Sequence, residues 1–124
     1  MLRRVRLDDL VDRLDGVVGV ERREHEVFGL GRGERERDGL DVRQPEEIDG
    51  QLGKIAGARS IPLGELKGRI DEVPRDRPVI AVCHSGMRSG QATVILREAG
   101  FVEVANLHGG MLLWHQMALP AEHR

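Results

Sequence analysis

The sequence predicts an α/β domain whose central, mostly parallel sheet of about five strands is flanked by helices on both faces. Short apolar stretches alternate along the chain with segments in which apolar residues recur at the three- and four-residue spacing of a helix. The four consecutive apolar residues 79–82 (VIAV) are typical of a central parallel strand that is buried on both faces. Ligands bind beyond the carboxyl ends of such strands, so a site is expected directly after residue 82.

The N-terminal part contains one predicted helix and one charged segment. Apolar residues within 7–14 fall on one face of a short amphipathic helix. Residues 17–38 carry runs of acidic and basic side chains around a glycine-rich stretch, and they are predicted to be mostly loop with room for one hairpin. We therefore divide the single domain into 1–38, a helix plus a charged insertion packed on or flanking the rest, and 39–124, the core.

The elements of the core are predicted, in chain order, from the spacing of apolar residues and from residues that favour turns. Gly100 is placed to close one of the helices in the left-handed conformation, and Pro120 stops the last one. The predicted elements are a strand at 39–43, a helical turn after Pro45, an extended piece at 57–62, a helix carrying Leu63, Leu66 and Ile70, the strand 79–82, a helix carrying Ala92, Ile95, Leu96 and Ala99, a strand at 101–107, a flexible turn at 108–110, and a helix carrying Met111, Trp114 and Met117.

Charge and composition narrow the classes of function. The 124 residues carry a net charge of -2 with acidic and basic side chains intermixed, so no nucleic-acid partner is expected. No run is long enough to cross a membrane, and the first residues lack the apolar stretch of a secretion signal. The single cysteine excludes an internal disulfide and suits a reducing compartment, which predicts a cytoplasmic protein.

That cysteine, Cys83, follows the buried strand directly and precedes a predicted helix. The unbonded amides and the positive dipole end of such a helix stabilise a thiolate, so Cys83 is interpreted as a nucleophile. The backbone after it can curl into a ring of inward N–H groups that binds an anion, with Gly86 at a point where a side chain would clash. The candidate site consists of Cys83, His84, Ser85, Gly86, Met87, Arg88 and Ser89.

Segment 83–89 resembles the active-site loop of rhodanese-type sulfurtransferases, Cys-x-x-Gly-x-Arg-Ser. Residues 41–47 (DVRQPEE) are similar to that family's Asp-Val-Arg-x-Pro-Glu-Glu, and residues 57–63 (GARSIPL) to its Gly-Ala-x-x-Ile-Pro-Leu. Residues 109–114 (GGMLLW) resemble the Gly-Gly-x-x-x-Trp that closes the domain. The blocks occur in the family's order over residues 40–120. The resemblance implies a rhodanese-like three-layer fold.

The resemblance also implies a sulfurtransferase that needs no cofactor. Cys83 would take the outer sulfur of thiosulfate or of a persulfide donor and pass it, as a Cys83 persulfide, to a thiol, a protein dithiol or cyanide. His84 and Met87 would face the mouth of the pocket and set donor preference, although a solvated His84 without a role is an alternative. Arg88 would neutralise a sulfonate group and lower the pKa of the thiol. Because the chain has no second cysteine, the acceptor must come from outside; the oligomeric state stays open.

Other polar residues admit more than one interpretation. Asp41 and Arg43 could form a catalytic pair, but we favour a charged pair near a strand end that hydrogen-bonds neighbouring loops. The five histidines show no helical ligand-pair spacing and no cysteine pair joins them, so no metal site is predicted. Lys54 and Ala56 stand where the family usually has His and Pro. They put the rigidity of that loop in doubt.

Two rival functions remain. The first is a non-catalytic rhodanese-like interaction or regulatory module that docks a partner through the charged insertion. The second is a phosphatase or an arsenate reductase. These enzymes also hold a cysteine thiolate beside a ring of inward backbone N–H groups. Their loops have the spacing Cys-x5-Arg, whereas Cys83 and Arg88 have the spacing Cys-x4-Arg. The narrower ring favours a single extra sulfur over a tetrahedral phosphate.

Overall fold

The fold is described from a computed structural model, in residues 20–21 and 37–123. The helix predicted over 7–14 and most of the charged segment 17–38 lie outside these described residues. Among the described residues, no helix has the length and apolar character needed to cross a lipid bilayer.

Strands of the described residues form one five-stranded sheet. In chain order they are β1 (Val20–Glu21), β2 (Asp38–Asp41), β3 (Arg59–Ser60), β4 (Val79–Val82) and β5 (Val104–Leu107). Their spatial order is β1-β5-β4-β2-β3, in which β5, β4, β2 and β3 run parallel and β1 pairs antiparallel with β5 at the edge. This confirms the α/β class and the mostly parallel sheet of about five strands. Val20 and Glu21, two residues of the predicted N-terminal part, thus pair with β5, near the other end of the chain. The hairpin predicted within 17–38 lies largely outside the described residues.

The helices of the described residues lie between these strands, except the last helix, which follows β5. They are α1 (Pro45–Ile48), two 3-10 helices (Leu63–Glu65 and Lys67–Glu72), α2 (Met87–Glu98) and α3 (Gly110–Gln116). The strand β4 and the left-handed Gly100 (φ +95°) agree with the sequence prediction.

The helix predicted from Leu63, Leu66 and Ile70 was wrong in type. It forms two 3-10 helices, and the second is interrupted at Arg69 (φ −121°, ψ 20°). The segment contains two glycines, each of which disfavours an α-helix by about 1 kcal/mol relative to alanine.

Side chains of β4 face two separate apolar layers, which makes the domain three layers deep. Val79, Ala81 and Cys83 belong to the layer that contains α2 and the 3-10 helices. Ile80 and Val82 belong to the opposite layer, which contains α3. Both faces of β4 are therefore buried, which explains its uninterrupted apolar sequence. Cys83 lies at the carboxyl end of β4, on the side covered by α2.

Candidate active site

Residues 83–88 curl around the sulfur of Cys83 between β4 and α2. Gly86 directly precedes α2 with φ +106°, a conformation open to glycine without steric cost. This turn directs the Gly86 N–H at the Cys83 Sγ, 3.0 Å away. A Cβ at Gly86 would also lie only 3.3 Å from the Gly109 nitrogen. The backbone angle therefore favours glycine at this point, and the tight space adds to that preference.

The Cys83 thiol is buried, with 1% of the residue exposed. Burial by itself raises the pKa of a thiol. Here hydrogen bonds from the Ser89 hydroxyl, 3.3 Å from the sulfur, and from the amides of Ser89, Gly86 and Ser85 stabilise the thiolate, and the net effect lowers the pKa of Cys83. The sequence predicted the ring of amides, but it did not give the Ser89 hydroxyl this role.

The first turn of α3 holds the carbonyl side of the loop. The Met111 N–H donates to the Cys83 carbonyl at 2.8 Å, and the Leu112 N–H donates to the His84 carbonyl at 2.9 Å. Amides of a first helical turn lack partners within the helix, so they are available to the loop. Because the carbonyls of Cys83 and His84 are hydrogen-bonded to α3, they point away from the sulfur, and amides of the loop point toward it. The turn at 108–110, predicted to be flexible, leads directly into the helical turn that supports the loop.

Asn106, on β5, was missed by the sequence analysis. It is buried; its Oδ1 lies within hydrogen-bonding distance of the Ser89 hydroxyl, whose single proton can be donated either to Asn106 or to the Cys83 sulfur, and its Nδ2 donates to the Gly86 carbonyl at 3.0 Å. The Ser89 hydroxyl therefore lies between the Cys83 sulfur and the Asn106 amide. The available signal was a polar residue near the carboxyl end of a strand in a predicted mostly parallel sheet, the edge at which ligands bind.

Arg88 forms an ion pair with Glu47, which the sequence analysis also did not select. Its two terminal nitrogens donate to the two carboxylate oxygens of Glu47, both at 2.7 Å, and each side chain is about one-third exposed. Glu47 belongs to α1 and also accepts a hydrogen bond from the Gln44 N–H at 2.8 Å. The Arg88 hydrogen bonds, opposed by partial burial, lower the pKa of Glu47 to about 2. The same pairing raises the pKa of Arg88.

Asp41 and Arg43 form a second ion pair, with both side chains 1% exposed. Arg43 Nη2 contacts the Asp41 carboxylate at 2.6 Å and the Gly53 carbonyl at 2.8 Å. Arg43 Nη1 donates to the Glu47 carbonyl at 3.3 Å. The pair therefore ties the end of β2 to α1 and to the loop around Gly53, and it helps to place the helix that carries Glu47.

The rim of the loop is exposed. His84 and Ser85 lie at the surface, and 76% of Met87 is accessible to solvent. Within the part of the chain that the structure describes, no group of three or more His, Cys, Asp or Glu residues is arranged to hold a metal ion.

Known proteins share this arrangement of sequence and fold. The chain is 45% identical over 82 residues to Uncharacterized protein YqhL of Bacillus subtilis (strain 168). The aligned region covers 66% of this chain and 64% of that protein. It is 40% identical over 81 residues to a protein of Allochromatium vinosum named Sulfurtransferase, over 65% of this chain and 74% of that protein.

Solved structures of rhodanese-related proteins are similar to this chain in fold. A rhodanese-related protein from Thermoplasma volcanium superposes with a TM-score of 0.63 and 31% identity over 68% of this chain and 81% of its own. A rhodanese with anions from E. coli superposes with a TM-score of 0.59 and 34% identity over 72% of this chain and 100% of its own. The model of the rhodanese-like domain matches residues 31–117. The chain therefore belongs to the rhodanese-like domain family.

Proposed function

We propose that this protein transfers sulfane sulfur through a persulfide on Cys83. One observation carries the proposal: the buried sulfur lies in a ring of donors, with the Gly86 N–H at 3.0 Å and the Ser89 hydroxyl at 3.3 Å. Donors placed around a sulfur stabilise both a thiolate and the negative outer sulfur of a persulfide. The name of the Allochromatium relative, Sulfurtransferase, supports the same chemistry.

The reaction has two displacement steps. In the first, the Cys83 thiolate attacks the outer sulfur of the donor, the S–S bond of the donor breaks, and its electron pair leaves with sulfite or with a thiolate. In the second, an external thiolate or cyanide attacks the outer sulfur of the Cys83 persulfide and returns Cys83 as a thiolate. Because Cys83 is the chain's sole cysteine, the second nucleophile comes from a small molecule or a partner dithiol. This chemistry suits the reducing cytoplasm.

Two features favour this reaction over the rival functions. Four residues separate Cys83 from Arg88, so the ring offers fewer inward amides than the longer loops that bind phosphate. A module used only for docking has no need of a hydrogen-bonded, buried thiol with a lowered pKa. Both features are expected of a loop that binds a single extra sulfur atom on its cysteine.

The experiment is sulfur loading followed by intact-protein mass spectrometry. The protein is incubated with thiosulfate or with a small thiosulfonate, desalted and weighed, and one added sulfur is expected. Cyanide should then remove that sulfur as thiocyanate. The control is Cys83→Ser, which removes the nucleophile with little change in volume and should gain no sulfur. Loading of Cys83→Ser, or no loading of the parent by either donor, would contradict the proposal, and turnover of an aryl phosphate would favour the phosphatase hypothesis.

A further inference from the structure

The positive charge of Arg88 is already matched by a carboxylate. The bidentate contact with Glu47, at 2.7 Å for both nitrogens, is the geometry in which an arginine binds a carboxylate most strongly. Glu47 is held in place from its other side by the Gln44 N–H. Arg43, which donates a hydrogen bond to the Glu47 carbonyl, is paired with Asp41 through Nε and Nη2. The mouth of the loop therefore offers amide dipoles, while its nearby guanidinium groups are neutralised.

This pairing affects sulfur donors of different charge to different degrees. A donor that approaches Arg88 either meets a neutral ion pair or displaces the Glu47 carboxylate and leaves it close by. In both cases Glu47 adds a repulsive energy that is proportional to the charge of the donor. A dianion such as thiosulfate is penalised about twice as much as a monoanion.

We propose, on the basis of the proposed function, that Glu47 is a specificity-determining residue that selects against dianionic sulfur donors by neutralising Arg88. The favoured donor class is then monoanionic, as in organic thiosulfonates and in persulfides whose organic part is uncharged. Glu47 acts through Arg88 and through charge; it does not take part in the bond changes at Cys83.

Two sulfur donors that react with Cys83 in the same way but differ in charge isolate the effect of donor charge. With thiosulfate, the Cys83 thiolate takes the outer sulfur and sulfite leaves; with methanethiosulfonate, it takes the outer sulfur and methanesulfinate leaves. The same thiolate forms the same S–S bond in both reactions. The ratio of kcat/KM for the two donors therefore cancels any change in the pKa of Cys83 or in the loop that affects both donors equally.

The test compares Glu47→Gln with the parent and with the matched control Glu46→Gln. Glu46 is exposed on the same first turn of α1, so its replacement removes the same net charge one residue away. In Glu47→Gln we expect kcat/KM to rise about 10-fold for thiosulfate and about 3-fold for methanethiosulfonate, because the electrostatic energy scales with donor charge. The ratio then shifts about 3-fold toward thiosulfate, and this shift shrinks at high salt. In Glu46→Gln the ratio should stay at the parent value.

A second variant separates charge from geometry. Glu47→Asp keeps the charge and shortens the side chain, so it should keep the parent ratio even if both rates fall. An unchanged ratio in Glu47→Gln, an equal fall with both donors, or an equally large shift in Glu47→Asp would overturn the inference. Each of these results leaves sulfur loading of Cys83 in place. The absence of loading with either donor would overturn the proposed function, and the inference with it.

Discussion

Gly110→Ala tests whether the start of α3 holds the loop that carries Cys83. Gly110 has φ +58°, and a Cβ at this position would lie 2.6 Å from the His84 carbonyl oxygen and would also collide with that of Cys83. Atoms in proteins do not approach so closely, so an alanine must push α3 away from the loop. The hydrogen bonds from the Met111 and Leu112 amides to these carbonyls would lengthen as a result.

The expected loss of stability has two parts. A left-handed alanine costs about 1–2 kcal/mol. The two weakened hydrogen bonds cost about 0.5–1.5 kcal/mol each. Together they should lower the free energy of unfolding by about 2–5 kcal/mol. Gly57→Ala is the matched control, because Gly57 also has positive φ, +80°, but a Cβ there would meet no atom within 4 Å. The Gly57→Ala variant should lose only the part of the stability that comes from the left-handed backbone conformation.

Urea unfolding of the parent and both variants measures this difference, and the rate of sulfur loading measures the geometry of the loop. Gly110→Ala should be less stable than Gly57→Ala by about 1–3 kcal/mol, the part due to hydrogen bonds. It should also load sulfur more slowly, while Gly57→Ala loads at the parent rate. Equal stabilities and equal loading rates of the two variants would refute the view that α3 supports the loop.

Three further variants test the hydrogen bonds and charges of the site. Ser89→Ala removes the hydroxyl bonded to the sulfur and should raise the pKa of Cys83, so the pH profile of alkylation by iodoacetamide moves to higher pH; an unmoved profile would show that the amides suffice. Arg88→Ala leaves Glu47 uncompensated and should lower kcat/KM for thiosulfate by a factor of about 10–1,000, whereas parent-like kinetics would remove Arg88 from donor binding. The pKa of Glu47 is depressed from 4.5 to about 2 in the folded state, so its contribution to stability is complete above pH 4.5 and is lost as the pH falls toward 2. Because a third of each side chain is exposed, that contribution is about 1 kcal/mol, and Glu47→Gln should flatten the pH dependence of unfolding relative to Glu46→Gln; identical slopes would contradict the assignment.

The sequence was informative where a structural signal is local. The apolar run of β4 marks a strand buried on both faces, and the loop residues follow it directly in the chain. The spacing of apolar residues in α2 and the glycine after it mark that helix and its end. These features depend on side-chain periodicity and on backbone conformation within a few residues, which a single sequence records.

The sequence was uninformative where a contact joins distant segments. Glu47 lies 41 positions from Arg88, and Asn106 lies 17 positions from Ser89. Both contacts depend on how α1 and β5 pack beside the loop, and no periodicity or turn signal encodes that packing. Glu47 also had a sufficient local explanation, because its side chain caps α1. A residue with a local role gave no reason to look for a second one.

Three segments reach the loop from different directions, and each holds a different group. Glu47 of α1 fixes the guanidinium of Arg88, Asn106 of β5 fixes the hydroxyl of Ser89, and the first turn of α3 fixes the loop carbonyls. Asn106 also bonds the carbonyl of Gly86, the residue with the left-handed backbone. A conformation held by independent partners persists when a ligand enters or leaves. Under the proposed function, the sulfur of Cys83 would change from thiolate to persulfide within this ring of donors, and the charges at the mouth of the loop would select the donor.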